Sequence, residues 1–378
     1  MFGVTTPLPS CLDICKKVAA AALQGQPFVQ GSKSPAALFA IDEVLMKLLQ
    51  YIIQRFVMYF LVLFIGITIT FFLPRLMPSD PINNYISQVQ ARAGQSLSTE
   101  ATQQLRDQLA ELYGLKGDLF TQYTSYLARV ARFDFGPSFT YYPEPVIDIL
   151  MDALPWTAGL LITTTLLAWL IGNSIGLIAG YFNKRRWAGA LEVVGIILYP
   201  IPYYILALVV ILIFAYWLAL FPLSPTFLPG PMSWSKTVSI LYNSFLPALT
   251  LVLAGFGWNV LAMKALAVAT KEDAYVQFAR LKGTTDRTRM TNYVFRNAML
   301  PQITALVLSL GFIFNGAIQT EVIFSYPGIG MTMRAAAGNG DYNLLYGSII
   351  LTRISGATAA LVLDLIYPLF DPRIRLGG

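Results

Sequence analysis

Charged side chains fall in clusters along this chain and leave long uncharged runs between them. Phe56–Pro74, Ala153–Asn183 and Val193–Ser235 contain no Asp, Glu, Lys or Arg. A hydrocarbon layer about 30 Å thick is crossed by roughly 20 apolar residues in a helix. The first two runs each predict one span, at about 56–76 and 157–181. The third predicts a span at about 194–219 and then a loop, because Pro222, Pro225, Pro229 and Pro231 follow. Further spans fit about 240–263, 299–321 and 344–369, the last interrupted only by Arg353 and Asp364. All six are expected to be helices, since lipid offers backbone groups no other partner. The expected fold is all-α, a polytopic membrane protein with six transmembrane helices.

Two stretches do not read as spans. Residues 77–156 form a long connection with structure of its own: Ser98 or Thr99 can cap a helix that sets Leu105, Leu109 and Leu112 on one face, and Gly114 stops it. Residues 1–45 are weakly patterned and read as an N-terminal cytosolic extension, poorly ordered, ahead of the six-span domain at 46–376. Met46-Lys47, just before the first span, would be a natural start. No signal peptide with a cleavage site is legible, because the first long apolar run starts beyond residue 50.

Composition agrees with this pattern. Of 378 residues, 56% are hydrophobic and 12% charged, about half the charge of an ordinary soluble domain. A soluble enzyme or a secreted binding domain is thereby excluded. The chain has no histidine, which removes imidazole metal sites, triads and proton relays. Its two cysteines, Cys11 and Cys15, cannot form a disulfide framework and are a poor zinc site by themselves. The net charge of +6 would suit nucleic acid, but its placement argues otherwise. Lys184, Arg185 and Arg186 follow the second span. Lys264, Lys271, Arg280, Lys282, Arg287, Arg289 and Arg296 lie between the fourth and fifth, against Glu272, Asp273 and Asp286. The other connections between spans three and four and between five and six hold only Lys236 and Arg334. Cations collect on the cytoplasmic side, so both termini are expected there, 77–156 outside and 264–298 inside. No nucleic-acid partner is implied; membrane lipid is.

The most informative stretch is this basic loop. Residues 272–282 have helical periodicity with Tyr275, Phe278, Ala279 and Lys282 on one face; Gly283 ends the helix and Pro301 opens the next span. A short amphipathic helix suits docking into a groove on a soluble partner, and lying on lipid headgroups explains it equally well. Glu272, Ala274, Gly283, Leu300 and Pro301 are arranged as in the coupling motif of ABC-importer permeases, which the stretch resembles. Over about residues 46–376 the chain resembles the permeases of dipeptide, oligopeptide and nickel importers. The resemblance rests on Gly114-Leu115 with Gln122-Tyr123, Asp134-Phe135-Gly136-Pro137-Ser138, Pro145-Val146, the run from Glu321 to Gly330, Asp341-Tyr342, and the tail from Asp364 to Arg373. One departure is Phe133, where the family usually has glycine.

The resemblance implies a type I ABC-importer permease in the plasma (inner) membrane of a bacterium or archaeon. Its implied partners are a second permease subunit, two ATP-binding subunits and an external solute-binding protein. The docking residues would be Glu272, Asp273, Ala274, Tyr275, Phe278, Ala279, Gly283, Leu300 and Pro301. The chain itself lacks a Gly-x-x-x-x-Gly-Lys-Ser/Thr phosphate loop, so it is expected to be no enzyme and to bind no cofactor. ATP and magnesium would belong to the partner ATPase subunits. Peptides are the leading solute, with oligosaccharides and then nickel behind. A secondary transporter should show inverted repeats or a carboxylate relay, and a membrane enzyme a catalytic cluster at membrane depth; none is legible.

Three further features carry expectations. Gly172, Gly176 and Gly180 make a small-residue face suited to close helix packing within this subunit. Tyr199-Pro200-Ile201-Pro202 should break the third span. Arg353 and Asp364 return to nearly one helix face about 16 Å apart, too far to pair. They are candidates for the translocation path, with an interfacial anchor as the plainer role for Asp364.

Overall fold

The computed structural model describes residues 35–76, 98–112, 117–228, 230–311 and 317–370, with a few positions between 82 and 90. Residues 1–34, Gly114-Leu115 and the tail from Asp371 to Arg373 lie outside them, and with them Cys11, Cys15 and most of the expected extension. Among the described residues the elements are helical, and extended pairing is confined to an isolated bridge between Pro137 and Pro145. The all-α expectation holds.

Two units divide the chain. The smaller takes in described residues 35–58 and 364–370. It contains the first part of helix α1 (Pro35–Leu76), which runs through position 45 without a break, and the end of the last helix. Here Arg55 Nη1 pairs with Asp364 Oδ2 at 3.1 Å, and the Tyr51 hydroxyl donates to the Asp364 carbonyl at 2.9 Å.

The larger unit is Tyr59–Leu363. Its helices are α2 (Thr99–Leu112), α3 (Leu119–Ala131), α4 (Val146–Tyr181), α5 (Arg186–Leu198), α6 (Tyr203–Val210), α7 (Trp234–Lys271), α8 (Ala274–Leu281), α9 (Arg296–Gly311), α10 (Ala317–Ile323), α11 (Ile329–Asn339) and α12, whose full range is Tyr342–Phe370. π-Helical turns at Ile211–Trp217 and Arg289–Phe295 extend α6 and precede α9. The Ser98 hydroxyl accepts from Ala101 N at 3.2 Å at the start of α2, as expected, and Leu109 is buried against Ile82 and Ile86.

Among the described residues four helical stretches are long and apolar enough to cross a membrane: Leu49–Leu73, Val146–Tyr181, Trp234–Lys271 and Tyr342–Leu365. A fifth is reached only if α5 and the Tyr203–Trp217 helix count together. They meet at 105° where Pro200 and Pro202 withhold backbone donors. The expected third span is therefore bent rather than straight. The expected 299–321 span is shared between α9 and α10, with 312–316 outside the described residues.

Glycine sets the closest contact. A Cβ at Gly172 would lie 2.5 Å from Asn259 Cβ, one at Gly176 2.6 Å from the Val260 carbonyl, and one at Gly180 2.7 Å from Ala267 Cβ. The glycine face of α4 thus lies directly on α7 of the same chain. On the other side of α7, a Cβ at Gly257 would meet the Gly195 carbonyl of α5 at 2.8 Å. Near one end of this stack Leu177, Tyr181, Met263, Ala267, Val276, Val294 and Ala298 form a buried apolar cluster. Near the Val146 end a second cluster gathers Val130, Phe135, Leu150, Ala336, Leu344 and Ile350.

Candidate functional site

α8 follows α7 after a two-residue break. Glu272 is the C-cap of α7 and Asp273 the N-cap of α8, both exposed. Turning by about 100° per residue, α8 sends Val276 and Ala279 inward, 3% and 2% exposed, with Val276 in the cluster around Met263 and Val294. Tyr275, Phe278 and Leu281 point outward, and Leu281 is 85% exposed. The expected face grouped Ala279 with Tyr275 and Phe278; the structure puts Ala279 on the opposite, anchoring side. The outward row is held in place: Asn297 Nδ2 donates to the Tyr275 hydroxyl at 2.9 Å, and the Lys282 ammonium lies 4.7 Å from the Phe278 ring centroid.

The end of α8 is closed by two backbone bonds, Gly283 N to the Arg280 carbonyl at 3.0 Å and Thr284 N to the Ala279 carbonyl at 3.3 Å. That double closure needs a left-handed residue, and Gly283 supplies it with φ +77. A Cβ there would meet nothing within 4 Å, so the requirement is one of backbone conformation and not of space. Asp286 then gathers the loop. Its Oδ1 accepts from the Tyr181 hydroxyl at 2.9 Å and from Arg289 Nη2 at 2.6 Å. Bonding to Arg289 first, and to Tyr181, holds the Asp286 carboxyl below the usual carboxylate range. Leu300 is half-buried and Pro301 exposed, both within α9, which starts before Pro301 at Arg296. Lys264 and Glu192 form an ion pair between α7 and α5.

Of the two charges expected on the last helix, Asp364 has Arg55 as its partner, which suits an anchor. Arg353 is exposed on α12. Sequence reasoning missed the Arg55 pairing, because spacing within one helix says nothing of a helix that begins near residue 35.

The motif residues at the Val146 end meet in space. Asp341 is fully buried; its Oδ2 accepts from Ser138 Oγ at 2.6 Å, Phe139 N at 2.8 Å and Thr140 N at 2.9 Å, and its Oδ1 from Leu344 N at 3.1 Å. Asn343 Nδ2 donates to the Pro137 carbonyl at 3.1 Å. A second buried carboxylate, Glu321, accepts from Gly330 N at 2.6 Å, while Thr157 Oγ1 accepts from Ile329 N at 2.9 Å. A Cβ at Gly328 would fall on the Glu321 carboxyl, so the glycines of Tyr326-Pro-Gly-Ile-Gly330 make room for an acid at the start of α11.

Long apolar helices packed through glycine, with buried acids locking their connections, define a polytopic helical membrane protein. Residues 172–376 match the family of binding-protein-dependent transport system inner membrane components. The chain belongs to that family and is a permease subunit of an ABC importer, an inner-membrane protein. The inner membrane ABC transporter permease protein YejB of Escherichia coli O157:H7 is 27% identical, the match covering 87% of this chain and 99% of that protein. The dipeptide transport system permease protein DppB of Lactococcus lactis subsp. cremoris is 27% identical and the oligopeptide transport system permease protein OppB of Salmonella typhimurium 29%. Each match covers 87% of this chain and all of the relative.

Proposed function

We propose that this chain is one of two permease subunits that form a path for di- or oligopeptides, delivered by an external binding protein and driven by two ATPase subunits that hold ATP and magnesium. The peptide assignment is supported by relatives named for dipeptide and oligopeptide transport that match 87% of the chain. In this reading residues 46–376 are the permease domain, with six spans, 77–156 lie outside, 264–298 form the cytosolic coupling loop, and both termini are cytoplasmic.

The observation that carries the mechanism is α8. Its inner side, Val276 and Ala279, is fixed to the bundle, and its outer row, Tyr275, Phe278 and Leu281, is exposed. An ATPase surface gripping that row moves the bundle with it as a rigid body. Glu272, Asp273 and Ala274 set the approach to the helix, and Leu300 and Pro301 lie within α9, the segment that receives the motion.

Gly283→Val should reduce both uptake and binding-protein-stimulated ATP hydrolysis in the reconstituted complex while the chain still inserts. Gly283→Asn should be far milder, because asparagine enters the left-handed region at lower cost. Wild-type rates in Gly283→Val would remove α8 from the coupling role. Arg353 is assigned to the solute path, where a guanidinium favours a peptide carboxylate. Arg353→Ala should lower uptake severalfold with the amount of assembled complex unchanged; normal uptake, or lost assembly, would exclude it.

A further inference from the structure

Where α4 ends, the residues Tyr181–Arg185, the last turns of α7 and part of α8 enclose a cleft of about 450 Å³. Lys184, Arg185, Lys271, Arg280 and Arg289 line it, against Glu272 and Asp286. These charges do not balance. Asp286 is engaged by Arg289 and the Tyr181 hydroxyl, and Arg289 also donates to the Thr284 carbonyl. Lys271 donates to the Tyr181 carbonyl and lies 5.0 Å from its ring centroid, partners that carry no charge. Lys184, Arg185 and Arg280 have no ion pair among the described residues. Like charges gathered in a partly closed space repel, and a bound anion relieves that repulsion. Beside the cleft, Phe182 lies 5.0 Å from the Tyr181 ring and 5.7 Å from that of Trp187, the ring types that collect at a membrane–water boundary.

We propose that this cleft binds a phosphate group, carried by an anionic phospholipid headgroup or by free inorganic phosphate. Basic pockets between helices at a cytoplasmic membrane face take such headgroups. From the preceding reading the proposal borrows only the position of this end at the cytosolic headgroup level. The binding measurement is made on both faces at once, so its failure is separate from a failure of that orientation.

Native mass spectrometry of the purified full-length chain, titrated with phosphatidylglycerol or phosphatidylcholine, reads the site directly. The wild-type chain should retain phosphatidylglycerol in preference, and Lys184→Gln with Arg280→Gln should weaken that retention about thirtyfold without changing phosphatidylcholine. Lys184→Arg, which keeps the charge, should bind as wild type and guards against misfolding. Displacement by millimolar inorganic phosphate would make free phosphate a ligand of the site; no displacement would assign it to the lipid. Undiminished phosphatidylglycerol binding in the double variant, or equal loss of both lipids, would overturn the proposal. So would retention by the free chain that disappears in the assembled importer, since an acidic segment of a partner would then be the occupant.

Discussion

Helices α3 and α8 both end in the same pair of backbone bonds around a left-handed residue. At α8 that residue is Gly283. At α3 it is Phe133, with φ +57, bridged by Phe133 N to the Val130 carbonyl at 3.0 Å and Asp134 N to the Arg129 carbonyl at 2.9 Å. A side chain in this conformation costs roughly 1–2 kcal/mol, and glycine would avoid the cost. Phe133 is 45% exposed, so little packing offsets the strain. Phe133→Asn, which tolerates the left-handed region without glycine's loss of chain entropy, should raise stability by about 1 kcal/mol. Reversible denaturation in detergent measures it; a loss of stability would show that the ring's packing outweighs the strain.

Between elements, the α4–α7 contact is the most demanding. Gly176→Ala would push a methyl to 2.6 Å from the Val260 carbonyl and 2.9 Å from Met263 Cβ. Backbone cannot yield as a flexible side chain does, so the substitution should destabilise by about 1–3 kcal/mol. Gly189→Ala in α5, where a Cβ meets nothing within 4 Å, should be neutral or slightly stabilising. Thermal unfolding of the two purified variants tests the pair, and equal midpoints would contradict the close contact. At the opposite end the Asp341 network shows how short motifs far apart in sequence act as one part. Ser138 and Asp341 are 203 positions apart and joined by a hydrogen bond of 2.6 Å.

For the whole molecule the testable quantity is orientation. Cations crowd the connections at 183–187 and 264–296, so those connections should face the cytosol. In a chain freed of Cys11 and Cys15, Gln104→Cys should react with an impermeant thiol reagent in intact spheroplasts, and Thr284→Cys only after lysis. Reaction of Thr284→Cys from outside would reverse the topology.

The sequence alone determined the helical membrane class, the glycine face on α4, the break at Pro200 and Pro202, and the existence of a short helix ending at Gly283. These depend on local quantities: the length of an apolar run, the period of a helix, the missing donor of proline, the backbone freedom of glycine. It also marked Phe133 as a departure without revealing that the position is left-handed. Only the tertiary structure decided that α5 and α6 meet at 105°, that Ala279 anchors α8 while Leu281 is presented, and that Asp364 has Arg55 for a partner. It alone brought Lys184, Arg185, Lys271 and Arg280 around one cleft. Each of these depends on which distant segments lie side by side, and a charge or a methyl group acquires its neighbour only when the chain has packed.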